Sequence, residues 1–318
     1  MLARVALFPL AMVIGSELSG VLLVDKPEGP SSHDVVVSIR KALGIGKVGH
    51  TGTLDPLAGG LLVVLLGVAT KLAPYIPSDP KIYRGTMILG MKTDTMDLEG
   101  RPTGGTPFLG GREEVREALE GLVGERVQVP PAFSAAKVKG VPLYSYARKG
   151  IYMEGRPKRV KVYEARVLDL REGESGPVVD FLVSCSPGTY VRELVNAVGE
   201  VLGCGAVLAG LRRLSSGPFR LDDATPLGRI LEDPGGVRDK VIPPVEAIPQ
   251  LKKVRVAGSA ARKARSGSSL RQGDLSDVPD LEKGQTVAVV EDTSLLGIYL
   301  VVSPRPTILR PLRVFPGA

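Results

Sequence analysis

Tryptophan is absent from this chain, cysteine and histidine occur twice each, and aromatic residues make up 4% of its 318 positions. Each shortage excludes something. Cys185 and Cys204 cannot build a disulfide framework, and their spacing fits no zinc site. Both stand among apolar neighbours and read as small core residues. With only His33 and His50 available, a histidine-rich metal centre is excluded, and neither a metal nor a cofactor is expected. No apolar run is long enough to cross a bilayer, so no membrane association is expected. The N-terminal run is apolar apart from Arg4, but it is short, Pro9 interrupts it, and no A-x-A cleavage pattern follows. Residues 1–18 are therefore treated as an extension rather than a signal peptide. There is no internal repeat and no low-complexity tract.

What the chain does have is a substantial apolar fraction, 43%, and a formal charge of +7 with a sequence pI near 9.4. The length favours two domains over one. The basic excess is clustered. Lys252, Lys253, Arg255, Arg262, Lys263, Arg265 and Arg271 follow one another without an intervening acid. Arg156, Lys158, Arg159 and Lys161 form a second group, and Arg305, Arg310 and Arg313 a third. One such run is ordinary solvated surface; three of them bring a polyanionic partner such as RNA level with that reading.

The pattern of elements indicates a mixed α/β (α+β) chain. Val21–Val24 reads as a short strand, and Ser31 or Ser32 as the cap of a helix from His33 to Leu43 stopped by Gly44. A loop is expected from Gly44 to Gly60, then a buried strand and a short helix near Ala69–Ile76. Tyr83–Leu89, Arg159–Leu168 and Val178–Ser184 read as strands, Glu113–Val123 as a helix, and Leu143–Lys149 as one or two helical turns. Tyr190–Leu202 is amphipathic, with Val191, Leu194, Val195, Val198 and Leu202 on one side. No βαβ period is present, which points to a mixed, largely antiparallel sheet. Pro243-Pro244 to Pro249 looks like a linker. Beyond it, strand signals at Leu251–Val256, Thr286–Glu291 and Leu295–Val302 indicate a small β domain.

Eight residues stand out: Gly49-His50-Thr51-Gly52-Thr53-Leu54-Asp55-Pro56. Glycine and proline impose a tight, non-repetitive backbone, which holds the Asp55 carboxylate in one place beside an apolar run. On composition alone this is a turn. Its residue order, however, resembles the catalytic loop of the TruB family of tRNA pseudouridine synthases. The resemblance continues collinearly through Val24-Asp25-Lys26-Pro27, Lys81-Ile82-Tyr83-Arg84, Pro130-Pro131-Ala132-Phe133-Ser134-Ala135-Ala136-Lys137, Leu143-Tyr144-Ser145-Tyr146-Ala147-Arg148, Gly188-Thr189-Tyr190-Val191-Arg192 and Leu211-Arg212-Arg213. Departures occur at Gly59-Gly60, Val68, Asn196 and Val207, away from the motifs' reactive positions.

The resemblance implies a pseudouridine synthase fold over residues 19–245, with an RNA-gripping insertion near 125–155, and a basic PUA-like RNA-binding domain over 250–318. It implies that Asp55 is the reacting carboxylate, Tyr83 an aromatic partner of the target base, and Arg192 the guanidinium that orients Asp55 and keeps it ionised. His50, Tyr190, Leu211 and Lys26 would line the substrate site. Lys137, Arg148, Arg159, Lys252, Lys253, Arg262, Lys263 and Arg265 would contact RNA. The implied substrate is the uridine at position 55 in the T-arm of tRNA, and a cytosolic monomer acting without cofactor is expected.

Two readings compete. A guide-dependent branch of the same family works within a ribonucleoprotein, and an RNA-binding protein could keep the scaffold without the chemistry. Thr51, Leu57-Ala58 and the Pro130–Gly150 segment resemble the stand-alone bacterial branch. Gly44-Ile45-Gly46-Lys47-Val48-Gly49 matches G-x-G-x-x-G literally, but an expected helix precedes it and none follows, so a dinucleotide site is not expected. Ser31-Ser32-His33-Asp34 is no hydrolase triad, because adjacent residues do not converge on one point.

Overall fold

A computed structural model of the chain describes residues 18–315. The expected extension at 1–18 thus lies almost entirely outside the described residues. The architecture is α+β and centres on one large sheet. Its main path runs Thr225–Pro226, Gly20–Lys26, Ala58–Leu66, Ala206–Ser216, Lys81–Leu89, Val178–Cys185, Lys158–Arg171, Gly124–Gln128. Two of these pairings are parallel, Gly20–Lys26 with Thr225–Pro226 and Ala58–Leu66 with Ala206–Ser216; the others are antiparallel.

Every residue of Ala58–Leu66 is buried, where a one-sided strand would alternate. Both of its faces are covered. Leu62, Val64 and Leu66 pack with the helix Ser32–Leu43, through Val35, Val36, Ile39 and Leu43. Leu61, Val63 and Leu65 pack instead with Ala288, Val290, Leu295, Ile298 and Phe315, from the C-terminal part of the chain. That part forms a second sheet of five strands, in the order Lys252–Arg255, Thr286–Glu291, Ser294–Pro304, Thr307–Val314, Leu270–Arg271. The Pro-rich stretch expected to be a linker belongs to this shared core: Ala247 and Ile248 are fully buried. Proline there sets the path of a packed segment rather than a free one.

The first helix has the ends its sequence dictates. Ser31 caps it in a capping box with Asp34, and Gly44 closes it in the left-handed conformation. The expected Gly44–Gly60 loop is shorter than its glycines indicate. Val48–Thr51 is a strand paired with Val63–Leu66, and the next strand begins at Ala58, which leaves residues 52–57 as the loop proper. The stretch near Ala69–Ile76 is a 3-10 turn, Gly67–Tyr75, interrupted by Pro74. The amphipathic helix is Val191–Val201, and it buries Leu194, Val195 and Val198 against the sheet.

The largest element without a sequence expectation is Ala206–Ser216. This eleven-residue strand joins the two halves of the sheet, parallel to Ala58–Leu66 on one side and antiparallel to Lys81–Leu89 on the other. It sets Leu211 opposite Ala58, and Arg213 opposite both Gly60 and Tyr83. Gly60 has φ +94°, and a β-carbon there would run into the Arg213 carbonyl oxygen. Only glycine lets the two strands approach this closely.

Candidate active site

Asp55 sits midway along the 52–57 loop, with the backbone on both sides of it tied down. Gly52 enters the loop at φ +74°, where a β-carbon would meet the Lys81 Nζ at 2.5 Å. Its carbonyl accepts from the Arg213 guanidinium at 2.9 Å, and the same guanidinium donates to the Leu61 carbonyl at 2.7 Å. The Ser32 hydroxyl both accepts from the Leu54 N–H (2.8 Å) and donates to the Leu54 carbonyl (2.9 Å). On the far side, the Ala58 N–H donates to the Asp55 carbonyl at 3.0 Å.

Lys26, expected at the site in a structural or phosphate-facing role, lies inside the fold. It is fully buried, and its ammonium donates to the carbonyls of Ala58 (2.6 Å) and Pro27 (2.9 Å). It fastens the end of the loop and has no face for substrate. Burial pushes its pKa down to about 8, against the pull of Glu28 and Asp55.

Arg192 is the second residue of the Val191–Val201 helix, whose apolar side shares a core with Leu54 of the loop. Its Nη2 lies 2.9 Å from Asp55 Oδ2 and donates to the Phe133 carbonyl at 2.8 Å. Its Nη1 lies 3.2 Å from Asp97 Oδ2 and donates to the Thr95 carbonyl at 3.1 Å. A cation in a first helical turn opposes the helix dipole, and two carboxylates and two carbonyls offset that here. The arrangement is graded in exposure: the Arg192 and Asp97 side chains are 5% and 4% exposed, the Asp55 side chain 39%. Asp97 is therefore held as a structural counterion, while Asp55 keeps a face for a reactant. The opposite Asp97 oxygen accepts from the Thr95 hydroxyl and the Glu99 N–H. Nothing in the sequence marked Asp97, since an Asp among Thr, Met and Gly reads as an ordinary turn.

Tyr83 is buried in the same region, on the face of its strand shared with Lys81. Burial raises the pKa of its hydroxyl, and the neighbouring Arg213 works against that shift. Arg213 is itself fully buried, and its Nη1 has no hydrogen-bond partner among the described residues. Lys81 lies close by, its pKa pushed down to about 8 by burial and then by Arg213. His50, on the short strand before the loop, is likewise held below the usual imidazole range by burial and then by Arg213. The sequence signal for Arg213 was available in the alternation Leu211, Arg213 along one strand, but it required the strand to be recognised first.

Two cavities meet at the Asp55–Arg192 pair. One, of about 650 Å³, is bordered also by His33, His50, Asp97, Phe133, Tyr144 and Arg148. The other is a slot of about 80 Å³ between Asp55, Tyr83, Tyr190, Arg192 and Leu211. Of the residues expected at the site, Asp55, Tyr83, Arg192, His50, Tyr190 and Leu211 thus come together. Arg148 reaches the rim, stacked at 5.5 Å on Tyr144. Lys137 and Arg159 are exposed and line neither cavity.

The C-terminal basic residues are also away from both cavities, and their charges are partly met. Lys263 pairs with Asp274 at 2.7 Å, Arg265 with Glu291 at 2.5 Å, and Lys252 donates to the Asp280 carbonyl. Lys253 and Arg262 are exposed and have no ion-pair partner among the described residues. Among the described residues, no group of three His, Cys, Asp or Glu side chains is placed to hold a metal ion.

The chain as a whole resembles known proteins. Residues 40–191 match the model of the TruB family pseudouridylate synthase N-terminal domain. The chain is 38% identical over 304 residues to tRNA pseudouridine synthase B of Geobacillus thermodenitrificans, with 94% of this chain and 100% of that protein aligned. It is 40% identical over 314 residues to the Geobacter sulfurreducens protein of the same name, with the same coverage. Among solved structures, a Cbf5–Nop10–Gar1 complex matches at TM-score 0.70 and 26% identity, covering 96% of this chain and 87% of its counterpart. An H/ACA RNP bound to a substrate RNA containing 2′-deoxyuridine matches at TM-score 0.69 and 26% identity, covering 93% and 84%.

Proposed function

The chain belongs to the TruB family of pseudouridylate synthases, and from that membership we propose that it converts uridine to pseudouridine in tRNA, at position 55 of the T-arm, with Asp55 as the reacting carboxylate. The observation that carries the assignment of Asp55 is its half-exposed carboxylate, 2.9 Å from a buried guanidinium, at the junction of two cavities. The reaction breaks the N-glycosidic bond, turns the uracil and rejoins it through C5 to C1′. It is redox-neutral and transfers no group to or from a donor. Attack by the carboxylate on the nucleoside and removal of a sugar proton both require a free carboxylate oxygen, and Asp55 has one beyond the oxygen that faces Arg192.

The other groups take supporting roles in this reading. Tyr83 and Leu211 wall the slot that would take the flat base, and Tyr190 adds a second aromatic ring. His50, Phe133, Tyr144 and Arg148 border the larger cavity, where flanking nucleotides would lie once the target has been turned out of its loop. Lys137 and Arg159, with the exposed Lys253 and Arg262, offer phosphate contacts farther out. The five-stranded C-terminal sheet serves as the RNA-binding unit, and the enzyme works as a cytosolic monomer.

Stand-alone action is favoured over guide-dependent action by degree of likeness. Identity is 38% and 40% with the two proteins named tRNA pseudouridine synthase B above, against 26% with the Cbf5 and H/ACA structures. The test is purified protein with an unmodified tRNA transcript and no guide RNA, with the product mapped by position. Pseudouridine at position 55 is the expected result. Formation at another position would correct the substrate, and turnover only with added guide RNA would place the chain in the other branch.

A further inference from the structure

Two buried side chains outside the reacting group grip the backbone in the same way. Ser32, 1% exposed, accepts from the Leu54 N–H and donates to the Leu54 carbonyl, one residue before Asp55. Gln128, 7% exposed, accepts from the Tyr190 N–H at 2.9 Å and donates to the Tyr190 carbonyl at 3.1 Å, two residues before Arg192. Each grip satisfies both polar groups of one residue, so it fixes that residue's orientation as well as its position. The grips come from unconnected elements, the first turn of the Ser32–Leu43 helix and the end of the edge strand Gly124–Gln128. They act on the two segments that deliver Asp55 and Arg192 to each other.

We propose that Ser32 and Gln128 are positioning residues for the isomerisation, and that together they set the placement of Asp55 against Arg192 and the base slot. The proposal rests on the functional reading above. Neither side chain needs to touch substrate. A reactive constellation must be held to within about 0.5 Å, and a misplacement of about 1 Å costs roughly a hundredfold in rate. The neighbouring interactions do not substitute for the grips. Lys26 and Arg213 hold the ends of the loop at Ala58 and Gly52, and Arg192 can follow Asp55 only as far as its own helix start allows.

The test uses the full chain with Ser32→Ala, Gln128→Leu and the conservative Ser32→Thr. Single-turnover isomerisation of tRNA transcript, transcript affinity and amide hydrogen exchange are measured on each. Ser32→Ala and Gln128→Leu should each slow the saturated rate about 10- to 100-fold, with affinity held within about threefold. Ser32→Thr, which keeps the hydroxyl, should recover most of the loss. The double variant should lose less than the product of the two single losses, because either change already loosens the same pair.

Saturated rates within about twofold of wild type in both single variants would overturn the proposal. So would losses that appear in affinity alone. Amide exchange separates this failure from failure of the functional reading, since it needs no substrate. The Leu54 and Tyr190 amides should exchange at least about tenfold faster in the matching variant while the core strands stay protected. Unchanged exchange at both amides would overturn the grips even if the enzyme proved active on another RNA.

Discussion

Positive charge is used in opposite ways in the two halves of this molecule. In the central sheet and the helix packed on it, Lys26, Lys81, Arg192 and Arg213 are buried, and all but Lys81 donate to identified carbonyl or carboxylate oxygens. In the C-terminal sheet Lys253, Arg262, Lys263 and Arg265 lie on the surface, where water and ionic strength weaken any pairing. A buried cation is costly unless its partners are fixed, so it acts as a structural pin, and losing a partner disturbs the whole arrangement. A surface cation holds little structure and remains available to a polyanion. Substitutions on the buried side and on the exposed side should therefore fail in different ways.

The largest effect expected is at Asp55, the acid of the two paired with Arg192 that keeps an exposed face. Asp55→Asn should reduce single-turnover isomerisation by at least about a thousandfold while tRNA affinity stays within about tenfold, because the amide keeps the contact area and removes the reactive oxygen. Substantial turnover by the variant would move the chemistry to another group. Arg192→Met comes next, and it should damage two properties together. It leaves Asp97 buried without its counterion, which costs about 3–5 kcal/mol of stability, and it frees Asp55 to reorient. Denaturant unfolding checks the first and rate at saturating tRNA the second. A variant that lost activity at unchanged stability would mean that Asp97 is satisfied by its other partners, the Thr95 hydroxyl and the Glu99 N–H.

How far these groups could be read from the chain follows the same division. A loop around Asp55 was legible because glycine and proline impose a conformation locally, although the expected bounds, 44–60, took in the strand Val48–Thr51; the helix caps at Ser31 and Gly44 are local for the same reason. The Asp55–Arg192 contact was not, since it joins positions far apart along the chain, and only likeness to a family named it in advance. Asp97, Ser32, Gln128 and Arg213 escaped because their roles exist only in three dimensions. Ser32 looks like one more capping residue, and Gln128 stands in a stretch to which the sequence assigned no element. The strand Ala206–Ser216 hid because its first three residues are all buried and only its later part, Leu211, Arg213 and Ser215, alternates. The Pro243–Pro249 stretch misled in the other direction: proline signals a break in regular structure, which need not be a break in packing.

A smaller effect concerns Lys81, which titrates within reach of ordinary buffers. Its folded pKa, about 8, lies below the ordinary lysine value of 10.5. Between those values the unfolded chain binds a proton that the folded chain does not, so stability contributed by this group rises with pH across the window. The unfavourable charge is fully present below about pH 8. Lys81→Met removes it, and the variant should be more stable than wild type at pH 7 by up to about 3 kcal/mol. Wild type should catch up as pH approaches 10.5. The comparison between the two proteins is needed because Cys185, held up to about 11 by burial, contributes the opposite slope at alkaline pH in both. A constant gap in unfolding free energy from pH 7 to 10.5 would show that the ammonium is compensated in the fold.

The smallest effect tests the exposed half, and it must be read without deleting the C-terminal sheet. Removing residues 250–318 would strip Ala288, Val290, Leu295, Ile298 and Phe315 from the core that covers Leu61, Val63 and Leu65, so weakened binding could reflect failed folding. Point changes avoid this. Lys253 and Arg262 are exposed and carry no ion pair among the described residues, whereas Lys263 and Arg265 face Asp274 and Glu291. If the unpaired cations bind phosphate, Lys253→Ala with Arg262→Ala should lower the log–log salt slope of tRNA binding by roughly 0.7–0.9 for each phosphate no longer neutralised. Lys263→Ala with Arg265→Ala should lower it less, because each of these cations is already partly neutralised by its acid. Thermal unfolding of both double variants should match wild type within the ordinary range for surface changes, about 0.5 kcal/mol. Saturated single-turnover rates should also be unchanged, since Asp55, Tyr83 and Arg192 lie in the other sheet and its helix. Equal slopes for wild type and the first double variant would mean that these charges are solvated surface, and that tRNA is gripped from the rim of the 650 Å³ cavity by Arg148 and its neighbours instead.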